Sequence, residues 1–211
     1  LHFGGARRAD RYDWLFNGLM RNTSFTTDAY EDGTPAPNLV YDNLDFTGET
    51  NGKDITEHLG YIQTLKKGTL SFRLRRDEAD DDAGQSLITV SNTGSSTSFS
   101  SVYIRGNRIG FEFNNGTSPV ASGEQAVEAF KNNTNWYTIT ITFDGAHATA
   151  YVDDKKAFTL PSEVFLNATE DADNIMIGAN GSRMGECNFK GYIVTLYAVG
   201  GGQNGGPRAG T

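Results

Sequence analysis

The sequence predicts an all-β fold: a two-sheet antiparallel β-sandwich of the jelly-roll kind, with helix limited to short pieces. Three observations carry this. From Asn38 onward apolar and polar residues alternate with period two, as in strands with one buried and one wet face. Turn signals separate the runs, at Gly106-Asn107, Asp144-Gly145 and Asp153-Asp154. Glycine is abundant, at 25 of 211 residues, and Thr, Ser and Asn crowd the stretches between apolar runs. That composition suits short strands joined by tight turns rather than a βαβ fold.

Residues 1–38 read as an N-terminal extension packed on the main domain. Asp10-Arg-Tyr-Asp-Trp-Leu-Phe-Asn-Gly-Leu-Met20 has the pattern of one amphipathic helix, and Thr34-Pro-Ala-Pro-Asn38 is an extended breaker. Residues 39–200 form the β-sandwich. Leu70, Phe72 and Leu74 alternate with Thr69, Ser71, Arg73 and Arg75; Tyr137, Ile139, Ile141 and Phe143 alternate with Thr138, Thr140 and Thr142. Asp54-Ile-Thr-Glu57 and Ser122-Gly-Glu-Gln125 have capping-box spacing and mark two short helical pieces. Asp77-Glu-Ala-Asp-Asp-Asp82 reads as a solvated acidic loop. Residues 201–211 are a flexible Gly-rich tail or linker, and no internal repeat is visible.

A chain of this length buries enough apolar surface to fold without disulfides. It has to, because Cys187 is the only cysteine; an inert, semi-buried thiol is its ordinary reading. A net charge of −8 argues against a nucleic-acid partner. No apolar run approaches the ~20 residues of a membrane-spanning helix, so no membrane insertion is expected. No signal peptide stands at Leu1, as expected for a chain that begins inside a mature protein.

The most informative stretch runs from Ser100 to Asn114. With Gly106-Asn107 as a two-residue turn, Arg105 opposes Arg108, Ile104 opposes Ile109 and Tyr103 opposes Gly110. Val102 then meets Phe111 and Ser101 meets Glu112, and opposed residues share a face. Val102, Ile104, Ile109, Phe111 and Phe113 face the core. Ser101, Tyr103, Arg105, Arg108, Glu112 and Asn114 face outward, with Gly110 leaving open floor beside the Tyr103 ring. An aromatic, a carboxylate, an amide and two guanidinium groups together suit a polar sugar. The same set also occurs on ordinary solvated sheet faces.

Trp136-Tyr-Thr-Ile-Thr-Ile-Thr-Phe-Asp-Gly145 and Thr149-Ala-Tyr-Val-Asp-Asp-Lys-Lys156 resemble the paired central strands of concanavalin A-like and laminin G-like jelly rolls. Asp171-Ala-Asp-Asn-Ile-Met-Ile-Gly178 and Phe189-Lys-Gly-Tyr-Ile-Val-Thr-Leu-Tyr197 resemble their closing strands. A narrower resemblance is to family-40 carbohydrate-binding modules, the sialic-acid-binding lectin domains of bacterial sialidases. It rests on Leu44-Asp-Phe-Thr-Gly48, Asp54-Ile-Thr-Glu-His-Leu59, Leu65-Lys-Lys-Gly-Thr-Leu-Ser-Phe72, Gly110-Phe-Glu-Phe113 and Ile177-Gly-Ala-Asn-Gly-Ser-Arg183. In that family arginines hold the sugar carboxylate, a hairpin glutamate receives polar groups of the sugar, and apolar or aromatic side chains take the N-acetyl arm. Glu112 matches the glutamate, Arg183 the arginine of the late loop, and Tyr103 the aromatic one strand back. Asn114 departs from the pattern, which has Arg there; either Arg105 or Arg108, on the same expected face, compensates, or the module binds sialic acid weakly, prefers another sugar or has lost binding. The aromatic after the late arginine has no counterpart; Cys187 or Asn188 stands nearby.

The resemblance implies a non-catalytic lectin module for terminal sialic acid, secreted or at the cell surface of a bacterium. Its partners would be sialylated glycans and the catalytic domain of the same polypeptide, a sialidase it tethers to substrate. Glycanases among related jelly rolls need two carboxylates across the scissile bond. Glu78-Ala-Asp-Asp-Asp82 and Glu170-Asp-Ala-Asp173 lack the closing glutamate of the Glu-x-Asp-x-x-Glu strand motif, and no sialidase Ser-x-Asp-x-Gly-x-x-Trp motif occurs. No cofactor is expected. His2, His58 and His147 have no zinc spacing. Asp144, Asp171 and Asp173 are candidate calcium ligands, but an ordinary role in turns is preferred for them. The Asn-x-Ser/Thr sequons at Asn22, Asn115, Asn132, Asn167 and Asn180 read as chance in an Asn- and Thr-rich chain. The alternatives are a laminin G-like protein-interaction or calcium-stabilised structural domain without sugar specificity, and a degenerate spacer.

Overall fold

The computed structural model describes residues 38–48, 51–63, 67–77, 84–117, 119–127, 135–163, 166, 169–181 and 188–200. The expected helix over 10–20, the tail beyond 200, most of the acidic run, Arg183 and Cys187 lie outside them.

Period-two alternation becomes strand throughout. In chain order the strands are β1 (Asn38–Asp45), β2 (Lys53–Asp54), β3 (Gly68–Arg76), β4 (Gln85–Ser91), β5 (Phe99–Arg105) and β6 (Arg108–Asn114). There follow β7 (Pro119–Ala126), β8 (Tyr137–Phe143), β9 (His147–Val152), β10 (Lys155–Pro161), β11 (Asn174–Ile177) and β12 (Gly191–Gly200). They form two six-stranded sheets, ordered β1-β12-β3-β8-β9-β10 and β2-β11-β4-β5-β6-β7. The ladders are antiparallel, as in β3–β8 and β5–β6. The expected all-β sandwich is what forms. Among the described residues no helix is long and apolar enough to cross a membrane.

The core lies between the sheets. Leu70, Phe72 and Leu74 of β3 and Ile139, Ile141 and Phe143 of β8 are buried from one side. Ile88, Val90, Val102, Ile104, Ile109, Phe111 and Phe113 are buried from the other. Phe143 reaches across, its ring 6.4 Å from that of Phe111 and 6.0 Å from that of Phe113. Each such side chain contributes roughly 1.5–3 kcal/mol of burial, enough to specify which face of every strand turns inward. Asp153 and Asp154 close the β9–β10 hairpin with φ of 48° and 63°. Positive φ at both positions gives the turn whose twist matches the strands, and Asp tolerates it better than most residues.

Two local expectations change. Ser122-Gly-Glu-Gln125 is not helical but lies inside β7, with Ser122 opposite Glu112 and Glu124 opposite Gly110. A single capped turn cannot compete with a ladder that satisfies the open edge of β6. The helical piece near Asp54 does form, as a 3₁₀ turn over Thr56–His58 followed by α1 (Leu59–Ile62). Its entry is not a capping box. Asp54 ends β2, and its Oδ1 accepts from Thr56 N at 2.9 Å and Thr56 Oγ1 at 2.6 Å, a local turn motif.

Candidate functional site: the outer face of the second sheet

The β5–β6 hairpin takes the expected register, from Arg105 opposite Arg108 to Ser101 opposite Glu112. Gly106 supplies a φ of 53° at the turn. Registers with β4 and β7 extend two rows across the outer face: Ser86, Tyr103, Gly110 and Glu124 in one, Thr89, Ser101, Glu112 and Ser122 in the next. In these rows the side chains around Tyr103 and Glu112 are small apart from Glu124, and Ser86, Thr89 and Ser101 are buried, Ser101 contrary to its expected solvated place. Thr89 Oγ1 donates to Ser101 Oγ at 2.9 Å, and Ser101 Oγ donates to Ser86 Oγ at 3.2 Å.

Glu112 is half-buried, and its Oε1 accepts a 2.7 Å hydrogen bond from Asn114 Nδ2. Asn114 shares the face with Glu112 as expected, yet it is 6% exposed rather than solvated. It sits where the β6–β7 register shifts, and its carbonyl accepts from Thr169 Oγ1 at 3.0 Å. The amide thus holds the glutamate instead of presenting a cation.

Tyr103 is half-buried beside Gly110. A Cβ at position 110 would stand 2.8 Å from both Cζ and Oη of Tyr103 and 2.9 Å from Glu124 Cβ. Only glycine leaves the ring its place. The Tyr103 hydroxyl donates to Glu124 Oε2 at 3.1 Å, and the Arg105 guanidinium lies over the ring at 5.3 Å. Burial, then the negative charge of Glu124, pushes the Tyr103 phenol up to about 12, with Arg105 opposing.

Glu124 is the residue that sequence reasoning missed. Besides Tyr103 it meets Arg105 Nη1 at 3.7 Å and Arg108 Nη1 at 3.3 Å. Extending the hairpin register by one strand would have found it, but β7 has too few apolar residues to announce itself as a strand. Arg105 and Arg108, expected as compensating cations, both face this carboxylate.

The late loop starts on the same face. Gly178 N donates to Leu87 O at 3.0 Å, and Phe189 N returns to Gly178 O at 2.8 Å. Between them Gly181 packs over β4 and β11, where a Cβ would lie 2.8 Å from Ser91 Oγ and clash with Asn174 Oδ1. Neither of those buried atoms has a hydrogen-bond partner. Arg183 follows two residues on, outside the described residues.

The candidate calcium ligands act in turns. Asp171 accepts from Ser98 Oγ at 2.7 Å and Asn92 Nδ2 at 2.8 Å; Asp173 accepts from Thr93 N at 2.9 Å and Thr93 Oγ1 at 2.8 Å. Together they fasten the β4–β5 connection to the start of β11. Asp144 accepts from Ala146 N and His147 N in the β8–β9 turn. Among the described residues no group of three or more His, Cys, Asp or Glu is placed to hold a metal.

Comparison with solved structures finds the same fold in the CBM40 module of the Ruminococcus gnavus IT-sialidase. It has been solved bound to alpha2,3 and alpha2,6 sialyllactose, at TM-scores of 0.64 and 0.63. Identity is 19%, over 76% of this chain and 90% of that one. A leech intramolecular trans-sialidase complexed with 2,7-anhydro-Neu5Ac matches at TM-score 0.66 and 19% identity, covering 79% of this chain and 26% of that one. The NanB sialidase of Streptococcus pneumoniae gives 0.64 and 16%, with 76% and 26% covered. At such identities these likenesses establish the fold alone. Comparison with curated proteins gives no significant match. Residues 47–198, well over half of the sequence, match the model of the Concanavalin A-like lectin/glucanases superfamily, and the chain belongs to that superfamily.

Proposed function

We propose that this chain is a non-catalytic family-40-type carbohydrate-binding module that takes terminal sialic acid on the outer face of the second sheet. The observation that carries the reading is convergence: Glu112, Asn114 and Tyr103 share one face, and the late loop leading to Arg183 begins on it. The Ruminococcus gnavus module was solved with sialyllactose, and that chemistry suits this face. Glu112 accepts sugar hydroxyl or amide N–H groups. The Tyr103 ring takes the N-acetyl arm, and Arg183 anchors the carboxylate. Arg105 stands at the rim over Tyr103.

Glu112 and Glu124 share the face, but both act as acceptors, Glu112 from Asn114 and Glu124 from Tyr103 and Arg108, with Arg105 ion-paired to Glu124 at 3.7 Å. A glycosidase needs one carboxyl that delivers a proton to the leaving oxygen. In its parent protein the module would tether a sialidase at the cell surface or outside it.

Titration calorimetry with 3′- and 6′-sialyllactose tests this. A guanidinium–carboxylate contact is worth roughly 1.5–3 kcal/mol, so Arg183→Ala is expected to weaken binding by about tenfold or more. Unchanged affinity in that variant would place the site elsewhere.

A second reading, protein interaction, has one observation in its favour. On the other sheet the Arg75 guanidinium packs 5.4 Å from the Trp136 ring and 4.8 Å from the Tyr192 ring. Trp136 is exposed, and Trp, Tyr and Arg are typical interface anchors. A glycan array without hits, alongside Trp136-dependent capture of a partner domain, would favour it.

A further inference from the structure

We infer that Glu124 is the positioning and specificity-determining residue of this face: it fixes Tyr103 over Gly110 and offsets part of the positive charge that Arg105 and Arg108 present to an anionic ligand. The inference rests on the sugar-binding reading above but concerns a residue that reading does not use.

The geometry is convergent. One carboxylate accepts the Tyr103 hydroxyl on Oε2, faces Arg105 across that same oxygen, and faces Arg108 across Oε1. Its own backbone position is opposite Gly110, so its side chain rises beside the one gap the ring can occupy. Tyr103 is thereby held at its tip by Glu124, beside bare backbone at Gly110, and across its face by Arg105. A ring with its hydroxyl tethered and one side closed swings out less readily, and preorganisation of that kind lowers the ordering cost of binding.

The charge consequence follows from the same contacts. Two guanidinium groups at the tip of the β5–β6 hairpin would otherwise make this rim more strongly cationic. With Glu124 between them, one of the two positive charges is offset and the cluster keeps a single net positive charge. The remaining positive charge is weaker than two unpaired guanidinium groups would give, so Glu124 tempers how strongly the face selects on charge.

Two variants separate positioning from charge. Glu124→Gln keeps an acceptor for the Tyr103 hydroxyl but frees both guanidinium groups; Glu124→Ala removes the tether as well. Affinity for 3′-sialyllactose is to be measured at low and high ionic strength, with thermal melts confirming folded protein. Glu124→Gln is expected to bind on the order of threefold to tenfold tighter at low salt, with a steeper salt dependence. Glu124→Ala is expected to bind more weakly than Glu124→Gln, because the ring is loose. Wild-type affinity and salt slope in Glu124→Gln overturn the charge role; equal affinities in the two variants overturn the positioning role.

A spectrophotometric titration of Tyr103, isolated from the other tyrosines by difference against Tyr103→Phe, reads the contact without any sugar. Its midpoint should fall in Glu124→Gln, since a negative neighbour is gone; an unmoved midpoint rejects the contact itself. If wild-type protein binds no sialoside and the midpoint still falls, the sugar-binding reading fails while the Tyr103–Glu124 pairing stands.

Discussion

Asn114 shows how one side chain changes the chemistry of a face. Arginine offers carboxylate a planar two-pronged grip that an amide cannot replace. Here the amide is buried and donates to Glu112. Asn114→Arg places a guanidinium against Glu112 and is expected to tighten sialyllactose binding severalfold, measured by calorimetry. A substitution that gains nothing would mean that Glu112 does not border the carboxylate subsite. Gln85 is the complementary case within the core. It is fully buried, opposite Ile104, and neither Oε1 nor Nε2 has a hydrogen-bond partner. Leaving a buried polar group unsatisfied costs about 1–3 kcal/mol. Gln85→Leu, close in volume, should therefore raise stability by about 1 kcal/mol in urea denaturation; a loss would show that the amide serves a purpose the contacts do not reveal.

Among the elements, the β5–β6 hairpin depends on glycine at one place for space rather than for its turn. Gly110→Ala puts a methyl group into Tyr103 and the Glu124 Cβ, and overpacking of this sort costs about 1–3 kcal/mol. It should lower the melting temperature and, on the proposed function, weaken sugar binding together, because the ring that moves is the one proposed to meet the sugar. The turns carry a pH signature. Hydrogen bonds hold four carboxyls below the usual Asp value: from the Thr47 and Thr56 hydroxyls at Asp45 and Asp54, from Ala146 N at Asp144, and from the Ser98 hydroxyl at Asp171. Groups whose folded value is depressed stabilise the fold above their unfolded value, about 3.9. That stability is lost as pH falls through the lowered folded values. Melting temperature should be flat from neutral pH to about 5 and fall below about 4. Asp171→Asn, which also loosens the β4–β5 connection, should make that decline shallower.

For the whole molecule, two six-stranded sheets make a Concanavalin A-like sandwich, and the proposed function makes it a binding module. Purified chain is expected to release no sialic acid from sialyllactose and to cut no β-glucan in a reducing-end assay. Turnover abolished by Glu112→Gln or Glu124→Gln would overturn that. Much of this was legible in the residues. Alternation of apolar and polar side chains is a property of neighbours in sequence, so it predicted the long strands and their inward faces. A two-residue turn between alternating runs set the hairpin register, which brought Tyr103, Gly110 and Glu112 onto one face before any coordinates. What the tertiary structure decided came from contacts between remote segments. β7 became a strand because the edge of β6 needed a partner, although its own residues suggested a helical turn. That pairing delivered Glu124 to Tyr103, Arg105 and Arg108, and a register shift beside Thr169 buried Asn114 against Glu112. Local pattern determines which side of a strand is apolar. Only the summed pairing of distant strands decides which charges on the polar side end up facing one another.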